Sequence, residues 1–123
     1  MLKRILIISG LLLLTSLPAL AVTIAYSKTI EDLPMMIGMT EQSEDAVIFD
    51  KPGGRIVETS AEVYSSAADV KRFYTETLPA LGWTALPELS FSREGETLKI
   101  NIEKKDDIIN IVHFNLTPDD AGK

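Results

Sequence analysis

Between Arg55 and Tyr64 the chain reads "RIVETSAEVY", with Val57, Thr59, Ala61 and Val63 on one side and Glu58, Ser60 and Glu62 on the other. A period of two marks a strand with one buried face. Just before it, "AVIFD" is a short apolar run fit for another strand, and "KPGG" lies between the two. Proline pre-sets one turn angle and glycine supplies a positive one at the next position, so the pair predicts a hairpin. The period then changes. Val70, Phe73, Tyr74, Leu78 and Leu81 recur at helical spacing, opposite Lys71, Arg72, Thr75 and Glu76. This predicts an amphipathic helix over 66–82 with Phe73 at the centre of its apolar face. Ser66 with Asp69 three residues later is a capping-box variant. Pro79 should kink or end the helix near Leu78, Gly82 should close it and Trp83 should fold back on the last turn.

Alternation returns downstream. Leu89 and Phe91 alternate with serines, and Leu98, Ile100 and Ile102 alternate with Lys99, Asn101 and Glu103. A Gly95 turn and an Asp106–Asp107 turn separate these strands. In the last strand Val112, Phe114 and Leu116 form one face, while Ile109 and Ile111 begin the other, which suggests an interior strand or one partly covered on both faces. The expected fold is α+β in two layers, one amphipathic helix on a mainly antiparallel sheet, in the order ββαβββ.

The first residues follow a different pattern. "MLKR" is basic, "ILIISGLLLLTSL" is apolar, and "PALA" ends in two small residues with correct spacing for signal peptidase. These are the three parts of a secretory signal peptide, with cleavage expected after Ala21. The rival expectation is an uncleaved inner-membrane anchor through residues 5–26, a stretch without charge and long enough to span a bilayer. Pro18 stands where a spanning helix would be disturbed. The expected organisation is a signal peptide over 1–21, an irregular lead-in over 22–45 lying against the domain, an α+β domain over 46–117 and a polar, frayed tail over 118–123. Export places the chain in the periplasm or outside the cell.

Composition narrows the function. The chain has 123 residues, enough for one domain, and a net charge of −6. Loss of Lys3 and Arg4 with the signal would leave ten basic against eighteen acidic residues, a net of −8. Such a domain repels nucleic acid and anionic lipid surfaces. There is no cysteine, which removes acylation at a lipoprotein-type cysteine and any thiol chemistry.

Candidate chemistry is sparse. "FDKPGGRI" has glycines and two cations, but a P-loop needs its lysine after the glycines and at the start of a helix. Lys51 and Arg55 could hold an anion loosely at the hairpin tip. His113 is the single histidine and has no second ligand at metal-binding spacing, so it is read as an outer-face residue. No serine lies in a nucleophile-elbow motif. Met35, Met36 and Met39 in "PMMIGM" admit two readings, core or edge packing and a thioether site for Cu(I). The aspartate pairs lack the spaced oxygen series of a calcium loop. No catalytic, metal or cofactor residue is assigned, and an enzyme is the least favoured class. Tyr74, Trp83 and Phe114 are the candidate ligand or partner contacts, with core packing as the alternative for an aromatic stripe at helical spacing.

"RFYTETLPALGW" followed by "LSFSREGETLKINI" resembles small exported bacterial domains of unknown function that carry an F-Y-x-x-x-L-P-x-L-G-W motif. "EDLPMMIGMTE" is similar to the proline-containing segment that precedes them, and "VIFDKPGGRIVE" to their first hairpin. The resemblance covers residues 31–117 and implies a helix packed on an antiparallel sheet, distantly like domains of outer-membrane assembly lipoproteins. It supplies no catalytic residues, and the absence of cysteine departs from the lipoprotein pattern. The functional expectation is an exported, non-enzymatic domain that binds a protein or envelope partner through its open sheet face or an edge strand. The alternatives are a small-ligand carrier with a pocket between helix and sheet, and a membrane-anchored accessory subunit.

Overall fold

The computed structural model describes residues 24–119, together with Gly10 and residues 16–18. The expected cleavage site after Ala21 lies outside the described residues, as do the last four residues of the tail. Among the described residues there is one α-helix, α1 (Ala67–Ala80). The strands are β1 (Ala25–Tyr26), β2 (Pro34–Met35), β3 (Thr40–Glu41), β4 (Val47–Lys51), β5 (Gly54–Val63), β6 (Thr84–Leu86), β7 (Ser90–Arg93), β8 (Glu96–Lys104) and β9 (Asn110–Pro118). A 3-10 turn spans Ser43–Asp45.

β1 and β2 form a small antiparallel pair. The other strands make one antiparallel sheet in the order β5-β9-β8-β7-β6, with β3 and β4 both on the free side of β5. β4 pairs with residues 54–58 of β5, and β3 pairs with residues 61–62. They are two halves of one edge, interrupted by the 3-10 turn. α1 packs on one face of the sheet, so the domain is the expected α+β arrangement of one helix on a mainly antiparallel sheet.

β5, β8 and β9 behave as their period predicts, whereas in β7 Ser90 is buried beside Phe91 and Leu89 stands outside the strand at φ 57°. Val57, Ala61 and Val63 of β5, Leu98 and Ile100 of β8, and Val112, Phe114 and Leu116 of β9 are buried toward the helix. β9 runs between β5 and β8 and is interior. The hairpin forms as well, with Pro52–Gly53 as a two-residue loop and Lys51 opposite Gly54. Its left-handed residue is Gly54, with φ of 138°, rather than the glycine in the turn. A Cβ there would also stand 3.0 Å from the Pro118 ring, so two constraints select glycine at this position.

The helix starts where its capping signal lies. Ser66 Oγ accepts the Asp69 N–H at 3.1 Å. At the other end Trp83 N–H donates to the Leu78 carbonyl and Gly82 N–H to that of Pro79, with Gly82 at φ 94°. This is a Schellman closure. The helix runs through Pro79 instead of stopping at Leu78. The missing proline donor leaves only the carbonyl of Thr75, an exposed residue that water can reach.

The structure moves the centre of the helical face. Val70, Tyr74 and Leu78 are fully buried, whereas Phe73 is only partly buried and Leu81 is 36% exposed. A stripe at i, i+4, i+8 meets the sheet, and Phe73 falls to its flank, edge-on to Tyr74 at 4.9 Å. The lead-in is also more than irregular chain. Within it, Ile30, Leu33 and Met35 are buried with the main core. β6 carries no apolar alternation and is visible only in the pairing of Thr84–Leu86 with Ser90–Ser92. The tail is held at its start, since β9 extends to Pro118 and Asp119 N–H donates to the Gly95 carbonyl at 2.7 Å.

Candidate functional site

Tyr74, Phe114 and Trp83 are core residues, with 0%, 1% and 4% of their surfaces exposed. Tyr74 and Phe114 meet edge to face at 5.5 Å in the space between helix and sheet. Their rings fill the space where they meet. The Tyr74 hydroxyl donates to the Pro34 carbonyl at 2.9 Å and lies 3.4 Å from Met39 Sδ. Burial, and then the nearby Glu41 carboxylate, push this phenol far above its ordinary range and keep it protonated. Its role is to pin the lead-in onto the helix.

A second clasp holds the same segment. Glu41 on β3 accepts from Ser27 Oγ at 2.6 Å, from Lys28 N–H at 2.7 Å and from Thr59 Oγ1 at 3.1 Å. Ser27 Oγ in turn accepts the N–H groups of Thr29 and Ile30. Burial pushes the Glu41 carboxyl up, but these donors together outweigh it and hold it below its ordinary value. The clasp lays residues 27–28 beside β3.

Trp83 closes the far end of the core. The Arg93 guanidinium lies 4.5 Å from the centre of its ring, a cation–π contact. Arg93 also reaches Asp32 at 3.6 Å. The indole Nε1 is buried without an acceptor among the described residues. Beside it is a cleft of about 190 Å³ lined by Asp32, Arg55, Arg93 and Glu94 among others.

The three methionines do come together. Met35, Met36 and Met39 line a cleft of about 350 Å³ with Ile24, Ile37 and Phe73. This cleft lies between the lead-in and the helix flank; another, of about 450 Å³, lies between Ala67, Lys71 and Thr75 of the helix and Ile100–Ile102 of β8. Lys51 and Arg55 are exposed on either side of the hairpin loop. His113 is on the outer face, as expected, with Nε2 2.8 Å from Glu103. Among the described residues no three His, Asp or Glu side chains are grouped to hold a metal ion. Asp106 caps its turn, accepting from Ile108 and Ile109 N–H, which lowers its carboxyl.

The two surfaces foreseen for partner binding differ in character. The outer sheet face is polar, with Asn115 donating to Glu58, His113 paired to Glu103 and Lys105 to Glu62. The β4 edge is apolar. Val47, Ile48 and Phe49 are 37%, 55% and 58% exposed. The register on β5 puts Val47 and Phe49 on the outer face, the latter opposite Ile56, and Ile48 on the helix face opposite Val57. Natural sheets blunt such edges with charge, proline, bulges or a covering segment. Here Asp50 and Lys51 lie only at the turn end of the strand.

Sequence reasoning treated Val47, Ile48 and Phe49 as an ordinary strand of the hairpin. The usable signal was that three consecutive residues were apolar. In a strand covered on one face, alternate residues should be polar. No helix in this chain is long and apolar enough to cross a membrane among the described residues. Comparison with family models, curated proteins and solved structures found no match.

Proposed function

We propose that this chain is an exported, non-enzymatic domain of the cell envelope that recognises a protein partner by adding a strand of that partner to its open β4 edge. One observation carries the reading: a five-residue strand that among the described residues pairs only with β5 and has exposed apolar side chains on both faces. Strand addition uses the backbone for affinity and the flanking side chains for selectivity. The basic, apolar and small-residue pattern before Ala21 supports export to the periplasm. A photo-crosslinking residue at Phe49, introduced in cells, should trap another polypeptide, while the same group at exposed Lys99 on the polar face should not. Equal trapping at both positions, or none at Phe49, would remove the edge reading.

The methionine cleft supports a second reading, a carrier for a small apolar molecule. Its volume of about 350 Å³ lies within the usual range for ligand pockets. Binding of an apolar fluorescent probe, weakened by Phe73→Ser, would favour it over strand addition.

A further inference from the structure

The β4 edge has a sequence that pairs well with itself. We propose that the strand added to β4 is β4 of a second copy of this chain, antiparallel and related by a two-fold axis normal to the sheet. This rests on the edge-addition reading above and names its partner.

A two-fold axis normal to the sheet keeps each face on its own side. Opposed residues in an antiparallel pair share a face, so the axis must pass through a self-paired residue. Three registers are available along Val47–Phe49. With Phe49 opposite itself, Ile48 meets Asp50 and Val47 meets Lys51, apolar against charged at every other position. With Val47 opposite itself, Phe49 and Asp50 run past the start of β4 against Asp45 and Glu44 of the 3-10 turn, the latter a like-charge pair. With Ile48 opposite itself, Val47 meets Phe49 of the second copy, and the reverse contact follows by symmetry. Asp50 then meets Ala46, and at both ends Lys51 falls opposite Asp45, the last residue of the 3-10 turn that precedes β4.

Only the Ile48 register matches apolar to apolar across Val47–Phe49 and sets Lys51 opposite an acid, with Asp50 against small Ala46; such cross-strand pairs are favourable while opposed like charges are not. It also joins the apolar strip of Val47, Phe49 and Ile56 on the outer face to its copy. The other half of this edge cannot compete, because residues 27–28 lie beside β3 through the Glu41 clasp. The seam is five residues long, well short of a standard interface of roughly 1,600 Å². Association should therefore depend on concentration, against the repulsion of two acidic domains.

The absence of cysteine makes the test clean. In the chain recovered from the envelope of expressing cells, Ile48→Cys should form an intermolecular disulfide under mild oxidation, and Lys99→Cys should not. In sedimentation, Asp45→Lys and Lys51→Asp should each lower the dimer fraction several-fold, and the two together should restore it. All four positions lie at the surface, and circular dichroism verifies that each variant is folded. Equal cross-linking at both cysteines, no cross-linking at Ile48→Cys, or a double exchange that fails to recover the dimer would each overturn the second copy. A Phe49 photo-crosslink to a different protein would also overturn it while leaving edge addition standing. No crosslink to any polypeptide would remove both.

Discussion

Two short apolar stretches precede and begin the sheet, and they meet opposite fates. Ile30, Leu33 and Met35 sit in a segment without period and are sealed, at 1%, 0% and 7% exposure. Val47, Ile48 and Phe49 sit in a regular strand and are open, at 37%, 55% and 58%. Regular backbone therefore does not imply burial here. The first stretch is drawn in by two polar anchors, the Tyr74 hydroxyl on the Pro34 carbonyl and the Glu41 carboxylate on Ser27 and Lys28. In the second, Val47 and Phe49 face away from the helix, and only Ile48 shares its side of the sheet.

The largest effect that would sharpen this contrast comes from matched truncations. Leu33→Ala should destabilise the domain by about 2–5 kcal/mol, the usual cost of emptying a buried leucine site. Ile48→Ala in the monomer should stay within about 0.5 kcal/mol, as at surface positions. Denaturant melts at low protein concentration measure both. A small loss at Leu33 would mean that the lead-in is not part of the core.

Next in size is the anchor itself. Tyr74→Phe keeps the ring against Phe114 but strips the buried Pro34 carbonyl of its donor. An unsatisfied buried polar group costs about 1–3 kcal/mol. Melts of Tyr74→Phe and of Phe73→Leu on the flank should separate, with the larger loss at Tyr74. If the two coincide, the lead-in is held by packing alone, and the polar-anchor account of the contrast fails.

These anchors also explain what could be read from the sequence. Alternation in β5 and β8, the Ser66–Asp69 cap and the Gly82–Trp83 closure are local signals, and each forms as written. Which of Phe73 and Tyr74 faces the sheet is not local, because both fit a helical period. The answer depends on an acceptor at Pro34, forty residues away, in a segment that shows no period at all. The same limit applies to the candidate contacts. Tyr74, Trp83 and Phe114 were legible as aromatic anchors, but whether they line a pocket depends on how tightly two layers close. The β4 run was legible as a strand and not as an open one, since exposure is decided by what fails to cover it.

The clasp gives a pH handle on the sealed region alone. Glu41 has an ordinary value of 4.5 in the unfolded chain and a lower one when folded. A depressed folded value means that its stabilisation is complete above about pH 4.5 and is lost as pH falls through the folded value. Glu41→Gln should cost on the order of 1 kcal/mol near neutrality, as for the loss of a charge-assisted bond. The gap between wild type and variant should close as pH is lowered below 4.5. A gap that is flat from pH 7 to pH 3 would mean the carboxylate charge contributes nothing to the clasp.

The smallest effect on the fold is the one that bears most on function. Phe49→Lys places a charge on the open edge, a device by which sheets discourage pairing. Phe49 is 58% exposed and touches no part of the helix-facing core, so the melt should move by no more than about 0.5 kcal/mol. Concentration-dependent association should be lost, because lysine would replace phenylalanine opposite Val47 of the second copy, twice per dimer. Sedimentation and melting of the same sample separate the two outcomes. A large drop in stability at low concentration would show that β4 is held by contacts within one chain. The open edge would then belong with the sealed lead-in, and the contrast between them would collapse.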